Sequence, residues 1–375
     1  MANNRCQFEP KMPKKTLCRG VVYRIPALIY IGDQKILAFA EKRTTSDDTS
    51  TVALEMKTGE VNKNESTHEV TIEWSDLKPV KEAHLDGYRP MNPCPVYEKT
   101  SKTLFLFFIC VEGKVQEHWQ ISNGHNKARL CYIKSNDVGQ NWSEVTDLTD
   151  KLDEIKQWAT FAVGPGHGLQ MESGRLIVPL YAYYVSDKSP YALCLYSDDQ
   201  GNRWTLGNKL EKQSCECEMA EVFDDTGNSV IYCNARSPEG QRVEAVSENE
   251  GDGFMTLRST KKLVETGGGC HGSVVSFPAQ SEGAHAVHNK WLLFIHPTNR
   301  HKRVNLGVYL NKSPRNPKAW SKPWIINHGP SGYSDLAYID DGWFVCLMEC
   351  GEKSAIEQIA FEVFSYSDLK HCTDA

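Results

Sequence analysis

Three arginines stand in apolar, strand-forming stretches, where a charged side chain is unusual. Arg24 lies within the tetrapeptide Tyr23–Pro26, Arg236 ends an apolar run, and Arg303 shortly precedes the apolar run Leu306–Leu310. A buried guanidinium needs hydrogen-bonding partners, and each arginine alone could form a salt bridge that closes its own part of the fold. Three arginines at comparable places could instead converge as a multi-donor clamp for one carboxylate, a task for which Arg is better suited than Lys.

An octet of the form Ser-x-Asp-x-Gly-x-x-Trp recurs along the chain and indicates which elements hold these arginines. It occurs in full at Ser135–Trp142 and Ser197–Trp204, with Asn and Phe substituted at Ser247–Phe254, and only in its first and last positions at Ser313–Trp320. The starts are 62, 50 and 66 residues apart, which is the scale of a propeller blade. Ser and Asp side chains can bond the backbone just ahead of them, and Gly supplies a positive φ. Each octet is therefore predicted to close a β-hairpin, and we assign it no chemistry.

Strand-forming runs bounded by turn residues extend over the whole chain. They are Ala27–Ile31, Lys35–Ala40, Leu104–Val111, Leu130–Lys134, Leu176–Tyr184, Leu193–Ser197, Val230–Cys233, Trp291–Ile295, Leu306–Leu310, Trp343–Met348 and Ile359–Phe364. Helical periodicity is scarce, and its best candidate is the short segment Val145–Gln157. No Pro/Gly/Ser-rich linker or block of charge divides the chain. We therefore predict one all-β domain over residues 1–375, a six-bladed β-propeller with roughly 60 residues per blade.

Composition limits the partners and the compartment. A net charge of -6 gives no general attraction to nucleic acid or anionic lipid. The segment Met1–Lys15 has no continuous apolar stretch, so no signal peptide is expected. The 13 cysteines are irregularly spaced and are expected to be reduced thiols, and no set of ligands predicts a metal site. We expect a protein of the cytoplasm, or one bound peripherally to the plasma membrane or an endomembrane.

Several motifs together resemble the animal exo-α-sialidases (neuraminidases), and the resemblance covers nearly the whole chain. They are Tyr23–Pro26, the repeated octets, Met91–Pro95, Ala162–His167 and Gly332–Leu336. Within that family the chain is most similar to the vertebrate cytosolic and plasma-membrane ganglioside sialidases. The resemblance implies the sialidase type of six-bladed β-propeller, in which the octets are the Asp-box turns.

The resemblance also implies the catalytic residues. Tyr333 would be the nucleophile, Glu221 its base, and Asp48 the acid/base. Sialic acid carries a carboxylate at its anomeric carbon, so a neutral phenol avoids the repulsion that an attacking carboxylate would meet. Because a phenol has a reference pKa near 10, it needs a base and nearby cations. Asp48 must be protonated to assist the leaving oxygen, so we expect desolvated surroundings for it and activity that is favoured by acid.

The remaining residues would bind the sugar, again as the resemblance implies. The triad Arg24, Arg236 and Arg303 would grip the carboxylate of sialic acid, and Glu349 would hold Arg24 in place. The others surround the rest of the sugar: Arg43 at the 4-position, Met91 and Asn92 by the N-acetyl group, and Glu117, Tyr181 and Tyr183 around the glycerol tail.

These assignments predict an exo-α-sialidase that retains anomeric configuration and needs no metal or organic cofactor. Its expected partners are sialylated glycolipids and glycans, including gangliosides, oligosaccharides and glycoproteins, with possible peripheral membrane contact and no nucleic acid. Two alternatives stay open. A trans-sialidase would pass the sialyl group to an acceptor sugar, and a non-catalytic sialic acid-binding propeller would keep the arginines without the catalytic residues.

Overall fold

The structure, a computed structural model, describes residues 14–18, 21–64, 66–67, 69–280 and 288–373. These residues form 25 strands in five antiparallel sheets. A short strand, β1 (Lys15–Cys18), comes first in the chain. The first sheet holds β2 (Val22–Gly32), β3 (Lys35–Arg43), β4 (Thr51–Lys63), β5 (Val70–Trp74) and β6 (Lys78–Pro79). The second holds β7 (Tyr88–Glu98), β8 (Thr103–Glu112), β9 (Ala128–Ser135) and β10 (Thr146–Asp147).

The other three sheets follow in chain order. The third holds β11 (Trp158–Val163), β12 (Leu169–Gln170), β13 (Leu176–Tyr184), β14 (Pro190–Ser197) and β15 (Thr205–Leu206). The fourth holds β16 (Cys217–Phe223), β17 (Ser229–Ala235), β18 (Val243–Ser247) and β19 (Met255–Thr256). The fifth holds β20 (Ser273–Pro278), β21 (Lys290–Pro297), β22 (Val304–Asn311), β23 (Trp324–Tyr338), β24 (Trp343–Cys350) and β25 (Gln358–Ser365), with β1 at its edge.

The sheets are arranged like the blades of a propeller. The first strands of successive sheets contact one another, as β2 does with β7 and as β16 does with β20, and β2 also contacts β23 of the fifth sheet. In the seven-stranded sheet, Trp324–Pro330 of β23 pairs with β22, whereas Ser331–Tyr338 pairs with β24. The long strand β23 therefore joins two sheet units. Because β1 pairs with β25, the N-terminal part of the chain also completes the C-terminal sheet.

The hydrophobic cores lie between neighbouring sheets, and apolar side chains of the predicted strands form them. All eleven predicted runs fall within observed strands, and the eight residues Leu104–Val111 of β8 are all buried, as a continuous apolar run indicates. Burying each such large side chain contributes about 1.5–3 kcal/mol. The β8 residues Phe105 and Phe107 pack with Trp204 of the second octet, at ring centroid distances of 5.7 and 4.7 Å. An octet aromatic thus fills the space between the second and third sheets.

Three octets form the same turn, each between the last two strands of a sheet. In the second octet, Ser197 Oγ donates to Asp199 at 2.9 Å and accepts from the Gly201 backbone N–H at 2.9 Å. The octets that begin at Ser135 and Ser247 repeat this pattern. Gly201 has φ +86°, and a Cβ there would lie 2.3 Å from the Phe105 ring, so glycine is required. The Ser313 copy instead places a 3₁₀ turn, Pro317–Ala319, capped by Asn316.

Helices are few and short among the described residues. The α-helices are α1 (Glu117–Asn123) and α2 (Tyr366–Thr373), and the 3₁₀ helices are Asp48–Ser50, Thr149–Lys151, Asp153–Gln157 and Pro317–Ala319. The prediction of an α-helix over Val145–Gln157 is wrong, because that segment contains β10 and two 3₁₀ turns. Among the residues that the structure describes, no helix is both long and apolar enough to cross a membrane.

Candidate active site

One cavity, of about 810 Å³, gathers most of the side chains that the sequence indicated. Eleven of the thirteen line it, whereas Glu221 and Glu349 do not. The eleven are Arg24, Arg43, Asp48, Met91, Asn92, Glu117, Tyr181, Tyr183, Arg236, Arg303 and Tyr333. They belong to different sheets, so the cavity lies where one end of the innermost strands converges.

The three arginines converge on Tyr333. The guanidinium carbons of Arg24 and Arg303 lie 5.6 and 5.3 Å from the centre of its ring. Arg236 Nη1 donates to the Tyr333 hydroxyl at 3.1 Å. Arg24 Nε donates to Glu349 at 2.7 Å, and Arg303 donates to the carbonyl of Gly269 at 2.8 Å. Each guanidinium is therefore fixed by a protein acceptor while the group of three borders the same cavity, an arrangement suited to an anionic ligand.

The carboxylate beside Tyr333 is that of Glu216. The Tyr333 hydroxyl donates to Glu216 Oε1 at 2.5 Å, and Arg236 donates to Glu216 Oε2 at 2.9 Å. Burial opposes ionisation of Glu216, but the positive charge of Arg236 acts together with the hydrogen bonds from Tyr333 and Arg236 and with His271. Together these hold the pKa of this carboxyl below its usual value. Burial and the negative charge of Glu216 raise the pKa of Tyr333 well above its usual value. A protonated phenol therefore faces a carboxylate that can accept its proton.

Glu221 lies elsewhere, so the sequence-based pairing of Glu221 with Tyr333 is wrong. Its carboxylate accepts from the Ser229 hydroxyl at 2.7 Å and from the Glu172 backbone N–H at 3.1 Å, and it pairs with Lys290 at 3.5 Å. It borders a second cavity, of about 450 Å³. Five residues of extended strand separate Glu221 from Glu216, which corresponds to about 16 Å. Glu221 is therefore at the other end of the innermost strand.

The hairpin register of β16 and β17 was the signal that could have identified Glu216. The two strands flank the turn residues 224–228 and pair Phe223 with Ser229 and Cys217 with Ala235. Continuing this register by one residue places Glu216 opposite Arg236, and the Arg236 backbone N–H donates to the Glu216 carbonyl at 2.8 Å. A hairpin centred on the turn residues 224–228 therefore predicts, from the sequence, that Glu216 lies opposite Arg236.

Asp48 lies at the rim of the cavity, in the 3₁₀ turn after β3. Arg43 Nη1 donates to Asp48 Oδ1 at 2.6 Å, and Arg43 is itself held by Glu41 Oε2 at 2.6 and 2.8 Å. The Asp48 side chain is 71% exposed, whereas Arg43 and Glu41 are buried. The desolvated surroundings expected for Asp48 are therefore not found in the protein itself. The turn places Asp48 outside the sheet, where only a ligand in the cavity could cover it.

Glu41 also organises the neighbouring wall. Its Oε1 accepts from the backbone N–H of Asn92 at 2.8 Å, and Asn92 has a left-handed backbone with φ +56°. Arg89, which the sequence analysis did not single out, lines the cavity and donates to the carbonyls of Asp48, Gly113 and Val115. It therefore ties the Asp48 turn to the loop before α1.

Glu117, Tyr181 and Tyr183 form the opposite wall. The Tyr181 hydroxyl donates to Glu117 Oε1 at 3.3 Å, and the two tyrosine rings lie 6.2 Å apart, edge to face. Solvent reaches Glu117 at the cavity mouth, but protein atoms crowd its carboxyl group. This desolvation, with the negative charges of Glu216 and Asp48, raises the pKa of Glu117 to about 7.

Comparisons with known proteins identify the family to which this chain is similar. The family described as "BNR repeat-like domain" matches residues 34–347. Human Sialidase-3 is 43% identical over 408 residues, covering 97% of this chain and 94% of that protein. Mouse Sialidase-2 is 45% identical over 373 residues, covering 95% of this chain and 96% of that protein.

A solved structure supports the fold independently. The Hadza microbial sialidase Hz136 superposes with a TM-score of 0.75 at 20% identity, covering 92% of this chain and 66% of that chain. At this identity the likeness shows the fold alone, whereas the two mammalian relatives match along nearly their whole length at more than 40% identity. The chain belongs to the animal sialidase family.

Proposed function

We propose that this protein, a glycoside hydrolase of the sialidase family, removes terminal α-linked sialic acid with retention of configuration, using Tyr333 as the nucleophile. One observation carries the proposal: three fixed guanidinium groups and a hydrogen-bonded Tyr333–Glu216 pair border one cavity. A cationic clamp beside a nucleophile suits a sugar that bears a carboxylate at its anomeric carbon. None of the proposed steps uses a metal or an organic cofactor.

Binding orients the sugar first. Arg24, Arg236 and Arg303 would grip the carboxylate, and their anchors Glu349, Glu216 and the Gly269 carbonyl hold them in place before substrate arrives. Such preorganisation lowers the cost of ordering the site around the transition state. Met91, Asn92, Tyr181 and Tyr183 border the rest of the cavity and would contact the N-acetyl group and the glycerol tail, as the family resemblance implies.

Proton transfer accompanies each chemical step. The Tyr333 oxygen attacks the anomeric carbon while its proton passes to Glu216, and the glycosidic bond breaks with transfer of the Asp48 proton to the leaving oxygen. Water, deprotonated by Asp48, then attacks the anomeric carbon and releases the Tyr333 oxygen, which recovers its proton from Glu216. Two displacements at one carbon restore its configuration.

A bound sugar would also change the surroundings of Asp48. A ligand held by the arginines would cover the exposed carboxyl and exclude water from it. Arg43 Nη1, 2.6 Å from Asp48 Oδ1, holds the carboxyl at the rim of the cavity. From this place Asp48 would serve as the acid in the first step and as the base in the second.

Further features of the protein belong to the same proposal. Taking the seven-stranded sheet as two blades that share β23 gives six blades with the four other sheets, in one domain over residues 1–375. We propose gangliosides, sialylated oligosaccharides and glycoproteins as substrates. We also propose that the protein acts in the cytoplasm or bound peripherally to a membrane.

The test is hydrolysis of an α-sialoside with a fluorescent leaving group, followed across pH and by NMR. We expect turnover that is favoured by acid, with the α-anomer of free sialic acid appearing before it equilibrates. The β-anomer as first product would exclude a retaining mechanism. Product formation that requires an added galactoside would identify a trans-sialidase, and saturable binding of the sialoside without turnover would identify a binding propeller.

The pKa of Glu117 predicts how substrate binding depends on pH. Below pH 7 its carboxyl is neutral, and above pH 7 it adds a negative charge to a cavity that must hold a carboxylate. We expect KM to rise about threefold to tenfold between pH 6 and pH 8, as for unit charges roughly 10–15 Å apart in partly wet surroundings. Glu117→Gln keeps a polar group beside Tyr181 and should abolish the rise. The same rise in KM in that variant would contradict the assignment.

A further inference from the structure

A cluster of buried polar side chains lies behind Tyr333, where the innermost strands meet. This axial cluster consists of His167, Glu218, His271, Ser273 and Asp335. All except His167 have essentially no exposed surface. They come from the third, fourth and fifth sheets, and the reaction steps proposed above use none of them. Buried polar groups are costly unless they are paired, so their arrangement calls for an explanation.

Hydrogen bonds join the two carboxyl groups of the cluster. Glu218 Oε2 accepts from Ser273 Oγ at 2.7 Å and from the Val274 backbone N–H at 2.9 Å. Ser273 Oγ also lies 2.9 Å from Asp335 Oδ1, and His167 Nδ1 lies 2.7 Å from the same oxygen. Partners within the protein thus occupy these carboxyl oxygens. The second oxygen of Glu218, Oε1, takes part in neither the contact with Ser273 nor the one with Val274.

Glu218 Oε1 contacts His271, and His271 contacts the nucleophile. The Nε2 atom of His271 lies 3.2 Å from Glu218 Oε1. The centres of the His271 and Tyr333 rings are 5.6 Å apart, with 42° between their planes. We propose that His271 is a positioning residue for Tyr333 and that Glu218 fixes the His271 ring in this place. The inference rests on the proposed function, in which Tyr333 reacts.

The surroundings of His271 and Glu218 favour the neutral form of the His271 imidazole. Burial lowers the pKa of His271 to about 4, against the negative charges of Glu216 and Asp335, while Arg242 and His296 lower it further. Burial and the negative charge of Asp335 raise the pKa of Glu218 well above its usual value. A neutral imidazole and a neutral carboxyl can then share one hydrogen bond between Nε2 and Oε1. The arginines remain the cations that stabilise the Tyr333 phenolate.

The position of the Tyr333 ring decides how its oxygen meets the anomeric carbon. Truncation of His271 to Ala removes one ring that packs against Tyr333 and leaves the three arginines of the clamp in place. A displacement of about 1 Å at a reacting group can lower a rate by roughly 10²-fold. Loss of His271 or of its anchor is therefore expected to reduce kcat and to leave KM nearly unchanged.

The experiment compares Glu218→Ala, His271→Ala, the double variant and Glu218→Gln in the full chain. The main readout is the rate of covalent inactivation by 2,3-difluorosialic acid. The Tyr333 oxygen displaces fluoride from the anomeric carbon, and the fluorine that remains at C3 slows hydrolysis of the glycosyl-enzyme, so the rate reports nucleophilic attack. We expect each alanine variant to lose about 10- to 100-fold, with KM for the fluorescent sialoside changed by less than about threefold. The inactivation rate of the double variant should be no lower than that of the slower single variant, because Glu218 and His271 act through one contact with Tyr333.

Two further variants separate positioning from general stability. Glu218→Gln supplies an amide N–H in place of the acid proton and should keep the inactivation rate within about threefold of the wild-type rate. Glu244→Ala removes another buried carboxyl, which accepts hydrogen bonds from Tyr232 and Trp320 and has none with His271 or Tyr333. It should lower the melting temperature about as much as Glu218→Ala and leave the inactivation rate unchanged. Should Glu218→Ala fail to fold, Glu218→Met keeps the volume and allows the same comparison.

The outcomes are distinguishable. An unchanged inactivation rate in Glu218→Ala, or losses that multiply in the double variant, would overturn the positioning role while the wild type still hydrolyses the sialoside. A loss in Glu244→Ala equal to that in Glu218→Ala would also overturn it, because the effect would then be one of stability. A wild-type protein that neither hydrolyses the sialoside nor reacts with the probe would instead refute the proposed function.

Discussion

Replacing Tyr333 by Phe is expected to lower kcat for the fluorescent sialoside by at least about 10³-fold, the scale on which an essential nucleophile acts. The variant removes one oxygen from a ring that Arg24 and Arg303 continue to contact. Arg236 loses its contact with that oxygen, but Glu349, Glu216 and the Gly269 carbonyl still hold the three guanidinium groups. Binding of an unsaturated sialic acid analogue should therefore change by less than about threefold. The measurements are steady-state kinetics and calorimetric titration of the analogue.

Tyr232→Phe is the matched control for this variant. Like Tyr333, Tyr232 is buried and donates to a glutamate, here Glu244 at 2.7 Å, but it lies outside the cavity. Its loss should cost about 1–3 kcal/mol of stability, as for a buried hydrogen bond, without affecting kcat. Equal rates for wild type and Tyr333→Phe would exclude Tyr333 as the nucleophile.

Glu216→Gln and Glu221→Gln should give opposite results, although both replace a glutamate near one strand, β16. The Glu216→Gln amide cannot accept the Tyr333 proton and no longer balances the charge of Arg236, so kcat is expected to fall by about 10²- to 10⁴-fold. Glu221 contacts Ser229 and Lys290 instead, and its replacement should leave kcat within about threefold. The rates are compared at saturating substrate, with thermal unfolding as the check on folding.

The pH dependence of this pair adds a second criterion. The pKa of Glu216 is held below its usual value, so the carboxylate persists at mildly acidic pH and its loss in Glu216→Gln should lower kcat at every pH at which the enzyme works. If Glu221→Gln lost as much activity as Glu216→Gln, the assignment of the base from the structure would be wrong.

The sequence alone determined the features that depend on neighbours along the chain. Apolar runs bounded by turn residues predicted the strands, and the octets predicted turns, because the Ser and Asp side chains bond backbone atoms within four residues. The arginines were identified because a guanidinium in an apolar run needs partners. Tyr333 and most of the cavity followed from motifs that resemble a known family, and the comparisons confirm that family.

Only the tertiary structure decided which groups meet across the axis. Glu216, Glu218 and Glu221 lie within six positions of one another, yet they face Tyr333, the axial cluster and the second cavity respectively. Asp48 proved exposed because its 3₁₀ turn lies outside the sheet. The contact of Tyr333 with Glu216 joins residues 117 positions apart. Local patterns specify the faces and ends of each strand, whereas such a contact exists only once the sheets have packed around a common axis and brought their innermost strands together.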